Sequence, residues 1–463
     1  MHPSNFSRKL TMAALPFRPR GADHFGARGP RTLAAAAGAP ASGSIGLTAS
    51  PMTSRNRASI RELAKRIAEI AASPQQDEKR KIWYAQASLR PIRPPVFCSP
   101  EGSWVELVPE DTLTCTNKEA RAVERGLRQR IYAAEHFHDD QVCEATYTVY
   151  YAVSLSGWGV HQEYTYSPEA RGSYVWDPPI KTRADLDRLR KPTVSHDAEA
   201  SRRRLEAAQD LLGDILEVRQ KGPLWLSAGL IDQWMYLRGL QQVYRDLIEE
   251  PDLVHAGMKL LMEGTLEVFE ELERQGLLTL NNGNDYCGSG ALGWTRELPS
   301  PGFDGKVRLC DLWGFADAQS MSEVSPTMHE EFVLRYQVPL LGRFGLNYYG
   351  CCEPLHLKLG LLKRHVPRLR RVSISPWADK RQSAEQLGPH IIFGWKPNPA
   401  YLAGVSFDAD LIRRDIRETI EICQANGCPL EITIKDTHTC NHQPWRFDEW
   451  TRIAMEESLR GAE

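Results

Sequence analysis

The sequence predicts an α/β protein built as a (β/α)8 TIM barrel, and three observations carry that prediction. From residue 223 onward, short β-rich runs alternate with helical patterns, an order that implies a parallel sheet. At least six strand candidates are spread over about 300 residues, which favours a closed barrel over an open sheet. No glycine fingerprint for a dinucleotide or a P-loop follows the early strands, which weakens the open-sheet alternative.

The elements follow in order. Residues 59–73 carry apolar positions at helical spacing, with Ser59 three residues before Glu62 as a capping box. Residues 118–136 read as a second helix, and 145–155 as a bulky, β-rich strand. A short capped helix over 182–192 stops at Pro192, and 197–220 reads as a longer amphipathic helix. Strands are expected at 223–229, 277–283, 344–350, 371–377, 390–396 and 429–435. Helices are expected at 236–249, 252–275, 327–343, 355–365, 380–387 and 408–426. Residues 284–318, rich in glycine and aromatic residues, read as a long insertion or lid over the barrel mouth.

Composition bounds the function. The 463 residues are long enough for one large barrel with extensions, and the net charge of −2 supplies no global basic field for nucleic acid. No window of 18 uninterrupted apolar residues suggests a spanning helix. Ten cysteines without a short repeated framework, and no clear secretory signal, read as reduced thiols in a cytoplasm-like compartment. Residues 1–51 are rich in Ala, Arg, Gly, Pro and Ser, with Asp23 their only acid. A transit peptide shares that composition. A disordered extension, or an over-long start with Met52 opening the protein, suits the Gly/Pro content better. Residues 52–463 form the expected barrel domain.

Catalytic groups of such a barrel sit where strands end. Those positions hold Asp232 and Trp234, then Asn284, Asp285 and Tyr286, then Cys351, Cys352 and Glu353. They continue with Ser375, Trp377 and Asp379, then Trp395, Lys396 and Asn398, and end with Lys435, Asp436, His438, Cys440 and His442. Lys396 and Lys435, desolvated at a mouth, could bind a carboxylate or work as acid or base; the alternative is a lysine reaching to the rim. Asp285 and Asp436 are acid–base candidates, although a loop Asp is commonly a cap or turn former. "EHFHDD", with His136, His138, Asp139 and Asp140, is either a further polar cluster or a helix-end loop. Cys351 or Cys352 could meet His438, Cys440 or His442 across the mouth around Zn²⁺, or be packing thiols. Adjacent residues of a strand point to opposite faces, so only one of the two thiols is expected to look inward.

The order "TRADLDRLRKP", "GPLWLSAG", "YYGCCEPLH", "SISPWAD", "WKPNP" and "IKDTHT" resembles the uroporphyrinogen decarboxylase superfamily over residues 55–460. It looks most like a decarboxylase-like branch that carries "GCCEPL", "SPWAD" and "KPNP" in that order. The resemblance implies a (β/α)8 barrel and one of two chemistries. One is cofactor-free removal of acetate carboxyls from a tetrapyrrole. The other is methyl transfer between a methylated compound or thiol and a corrinoid protein, with zinc in several members. The arginine motif of the true decarboxylases is replaced here by "KRKIWYAQASLRPIRPP", with Lys79, Arg80, Arg90 and Arg93. Against the zinc pattern, Cys351 and Cys440 stand near ligand positions and Tyr349 stands at a histidine, so either His438 or Glu353 substitutes or zinc is absent.

The expectation is therefore a cytoplasmic, corrinoid-linked methyltransferase acting on a small molecule, with cobalt presented by a partner corrinoid protein and homodimerisation left open. Cys351, His438 and Cys440 would hold a metal. Asp285, Lys396, Lys435 and Asp436 would perform proton transfer. Asp232, Trp234, Asn284, Tyr286, Tyr349, Glu353, Trp377 and Asn398 would contact substrate. The alternatives are a cofactor-free decarboxylase and a non-catalytic small-molecule-binding barrel.

Overall fold

Six short runs of apolar and β-branched residues lie side by side, every pair parallel. In the computed structural model, which describes residues 52–461 apart from 170, 171 and 224, they form one sheet. In chain order they are β1 (Val96–Cys98), β2 (Trp313–Ala316), β3 (Leu346–Tyr349), β4 (Leu369–Ile374), β5 (Ile392–Trp395) and β6 (Leu430–Ile434). In space the order is β1-β6-β5-β4-β3-β2. Helices connect consecutive strands from β2 to β6, as parallel pairing requires. The α/β class and the parallel sheet agree with the sequence. The extension over 1–51 lies outside the described residues.

Continuous strand pairing stops short of the expected eight. Beyond β2, Ser227 makes a single parallel bridge to Phe315, and the Ala228 N–H donates to the Phe315 carbonyl at 2.7 Å. The expected strand at 277–283 is irregular. The Asn281 side-chain amide takes a strand's place, accepting the Trp313 N–H at 2.9 Å and donating to the Trp313 carbonyl at 3.2 Å. Two carboxylates meet the outer edge of β1 in the same manner. Asp140 accepts the Val96 N–H at 2.8 Å and Asp139 accepts the Cys98 N–H at 2.9 Å. The Asp140 N–H donates to the Val96 carbonyl at 2.8 Å. "EHFHDD" thus supplies an edge cap for β1.

Arg93 grips Asp140 with two hydrogen bonds of 2.6 and 2.8 Å, and the carboxylate is almost wholly buried. Asp140→Ala should strand the guanidinium and free the Val96 N–H together. Urea unfolding is expected to show a loss of about 3–5 kcal/mol, and a loss below about 1 kcal/mol would contradict the edge-cap role.

The period of two sorts the strands into two faces. Val372, Ile374, Phe393, Trp395, Ile432 and Ile434 join the large core beneath the helices. Phe97, Trp313, Phe315 and Tyr348 pack in a second cluster on the opposite, inner face. The expected lid over 284–318 is corrected in two ways. It contains β2, and its start folds into a buried hairpin, Tyr286–Gly288 with Ala291–Leu292, that enters the inner cluster. Gly288 permits this entry: a Cβ there would lie 2.4 Å from the Tyr348 ring.

Other differences are local. The first helix, Ser54–Ala71, starts at the Thr53 cap rather than at Ser59. The helix expected over 197–220 stops at Leu212, and Glu217–Lys221 becomes a strand paired with Thr146–Tyr150, outside the main sheet. Gly213 and Asp214 interrupt the helical pattern there. The 182–192 segment is a 3-10 helix, Arg183–Arg188, with a Thr182/Asp185 capping box. Among the described residues, no helix is long and apolar enough to cross a membrane.

Candidate active site

The strands deliver their polar groups at their C-terminal ends. β6 runs into Lys435 and Asp436, β5 into Lys396, β3 into Cys351 and Cys352, and β2 into Asp317. Glu101 follows β1, and its Oε2 accepts the Asp436 N–H at 3.1 Å across 335 residues of sequence. Lys435 Nζ lies 2.5 Å from Asp436 Oδ1 and 4.0 Å from Glu101 Oε1. Asp436 has a positive φ of 60°, and this left-handed backbone belongs to a residue at the heart of the cluster.

Two groups here titrate near neutrality. Burial pushes the Lys396 ammonium down to about 7; Glu431 pulls the other way, and the charges of Lys435 and Arg371 lower it further. Lys396 Nζ donates to the Gly394 carbonyl at 3.2 Å. Burial lifts the Glu101 carboxyl to about 7, with Lys435 opposing and Asp436 adding to the rise. Burial would also raise Asp436, but the charge and hydrogen bond of Lys435, with a bond from Cys352, hold it below the usual carboxylate range. The centre is thus a lysine–aspartate ion pair flanked by an amine and an acid, each able to give or take a proton at neutral pH.

The inner hairpin roofs this centre. Gly290 has φ +66°, and a Cβ there would lie 2.9 Å from Lys435 Cδ and 3.1 Å from Lys396 Cε. Tyr286 is buried, and its hydroxyl accepts the Gly290 N–H at 2.5 Å. Tyr348 donates to the Ser289 carbonyl at 2.7 Å. Beneath the lysines, Arg371 pairs with Glu431 at 2.9 Å, both 1% exposed, and donates to the Leu292 carbonyl at 3.1 Å.

Carboxyls gather on the β2–β3 side. Burial, then Asp232, Cys351 and Glu353, raise Asp317 well above the usual carboxylate range. Glu353 is fastened by the N–H groups of Ala318 at 3.0 Å and Cys351 at 2.8 Å. Asp232 accepts the Ser320 N–H at 3.1 Å. These two acids therefore brace the loops that follow β2 and β3.

Several expected contact residues stand elsewhere. Trp234 is fully buried in the helical core against Gly257. Tyr349 points out under the helices, donating to Gln337 at 2.7 Å and meeting His329 at 2.9 Å, because the period of two turns Tyr348 inward instead. Trp377 is 65% exposed. Asn398 caps a turn by accepting the Ala400 N–H at 3.0 Å. Asp285 is paired with Lys221, and together with Asn284 it lines a separate cleft of about 520 Å³. Asn284 donates there to the Val142 carbonyl at 2.7 Å.

The expected metal set does not assemble. Cys440 Sγ donates to Glu106 Oε2 at 3.1 Å, and Glu106 also takes the N–H groups of Cys440 and His442. His438 is exposed. Cys351 instead meets Ser289 at 3.2 Å and Cys352 at 3.5 Å. Among the described residues, no group of three or more His, Cys, Asp or Glu side chains is arranged to hold a metal ion. The residues present do not fit a zinc site of three or four ligands.

Sequence reasoning missed Glu101, Ser289, Asp317 and Tyr348. Asp317 was legible in the alternation Trp313–Phe315–Asp317, had that run been read as a strand. Glu101 was not, because a three-residue strand after two prolines carries almost no pattern.

No protein-family model matches the chain, and no curated protein does. Among solved structures, the chain is similar to a methyltransferase from Methanosarcina mazei, at 10% identity and a TM-score of 0.31. The similarity covers 58% of this chain and 72% of that one.

Proposed function

We propose that the chain is an enzyme acting on a small molecule at the strand C-terminal ends, and that it transfers a methyl group to a corrinoid carried by a partner protein. The supporting observation is the ion pair between buried Lys435 and half-buried Asp436, flanked by Lys396 and Glu101, all at or just past strand ends. Lys435 would orient an anionic or polar group of the substrate, and Glu101 would protonate the heteroatom that loses its methyl group. Lys396, uncharged above about pH 7, would take up a proton in the reverse sense. A corrinoid supplies the methyl-accepting cobalt when its protein docks. The reading needs no thiolate-bound metal.

Decarboxylation of a many-carboxylate tetrapyrrole fits less well. Its binding requires free cationic forks, yet Arg93 is committed to Asp140 and Arg371 to Glu431. Arg80 pairs with Asp77, and Lys79 donates to the Gln141 carbonyl. A small monocarboxylate remains the substrate of the alternative reading, since two lysines suffice for it.

The test supplies reduced cobalamin and a panel of methylated amines, ethers and thiols, and follows methylcobalamin by absorbance. Formation that falls on the order of 100-fold in Glu101→Gln supports the proposal. Release of CO₂ from carboxylated substrates without corrinoid, and no methylcobalamin from any donor, would overturn it.

A further inference from the structure

Cys351 and Cys352 occupy a bend after β3 rather than the strand itself, so the alternation that would separate adjacent side chains does not apply. Gly350, with φ +96°, makes the break. Both thiols turn to the same side, their sulfurs 3.5 Å apart. Each also has a polar neighbour: the Ser289 hydroxyl lies 3.2 Å from Cys351 Sγ, and Cys352 Sγ–H donates to Asp436 Oδ2 at 3.1 Å. Seven of the ten cysteines are buried, whereas these two are partly exposed and within reach of a small reagent.

From this geometry we infer that Cys351 and Cys352 form a reversible vicinal disulfide, a modification site whose oxidant is a low-molecular-weight disulfide. The Cys352 thiolate, its proton released to solvent, attacks the oxidant and displaces one small thiolate, which takes up a proton in turn. Cys351 then attacks the mixed disulfide and releases the second. Two S–H bonds are exchanged for one S–S bond, and the oxidant is reduced to two thiols. Adjacent Cα atoms lie about 3.8 Å apart across a trans peptide, below the usual disulfide span of about 4.4–6.8 Å, so the link is strained and readily reduced. Such a bond serves as a switch rather than a staple. Closing it removes the S–H donor from Asp436, which is also the partner of Lys435, so oxidation reaches the proposed catalytic pair directly. The bond formation itself stands independently of the reaction catalysed.

Trypsin releases Phe344–Lys358, whose only cysteines are these two. Full-length protein treated with oxidised glutathione should yield this peptide lacking two hydrogens and resistant to alkylation, and dithiothreitol should restore it. Cys352→Ser should give no internal link. On the unaltered protein, phenylarsine oxide, a trivalent arsenical that bridges two sulfurs, should protect both thiols from alkylation. Two separate glutathione adducts on the peptide would overturn the inference. So would two alkylatable thiols after either reagent, under conditions that link them in the urea-unfolded chain.

Discussion

Lys396→Met should make the protein more stable at neutral pH while its turnover collapses. The folded protein holds this amine at about 7, below its ordinary 10.5. Between those values the unfolded chain carries a proton that the folded protein lacks. Stability contributed by this group therefore rises as pH climbs from about 7 to 10.5, and the full penalty applies below that window. The gap corresponds to an upper bound on the order of 5 kcal/mol. Methionine keeps an unbranched stem of similar length and removes the titration. Urea unfolding at pH 7 and pH 10 should show the variant gaining most at pH 7 and losing part of the parent's rise towards pH 10. An unchanged pH slope would show that Lys396 is not held neutral. Methyl transfer should fall on the order of 100-fold or more if the amine exchanges protons with substrate.

The second large effect is expected under the lysines. Arg371→Met leaves the Glu431 carboxylate buried without its ion pair and removes the donor to the Leu292 carbonyl. A loss of about 3–5 kcal/mol is expected for breaking one side of such a pair. Arg371→Met with Glu431→Gln should recover much of it, since neither charge then remains. The guanidinium also lies 5.0 Å from the Trp313 ring centre, so recovery should be incomplete. Additive losses in the double variant would refute the coupling. Glu431 also raises Lys396, so Glu431→Gln alone should shift the midpoint of Lys396 reactivity with an amine-directed reagent to lower pH.

Much of this architecture was legible in the sequence. The runs 344–350, 371–377, 390–396 and 429–435 are continuous apolar or β-branched segments bounded by turn residues, and each coincides with a strand of the sheet. Lys396, Lys435 and Asp436 could be named because those strands end beside them. The hairpin and β2 escaped, since "YCGSGAL" and "WGFA" mix glycine with bulky residues and look like loop until the interior they fill is known. Asn281 and Asp140 escaped for a different reason. Side chains that stand in for a strand's backbone leave no periodic trace. The direction of Tyr349 and the joint orientation of the two thiols depend on where β3 ends, and element ends are what periodicity defines least well.

The pairing of β1 with β6 has a consequence for synthesis of the chain. Every other ladder of the main sheet joins strands that are consecutive in it, but β1 waits for a partner more than 300 residues downstream. The loop-closure cost of that contact is met once, late. Until residues 430–436 leave the ribosome, β1 has no neighbour in the sheet and Glu101 has neither Lys435 nor Asp436 to face. A product truncated before residue 430 lacks β6, and with it the partner of β1 and the Lys435–Asp436 pair.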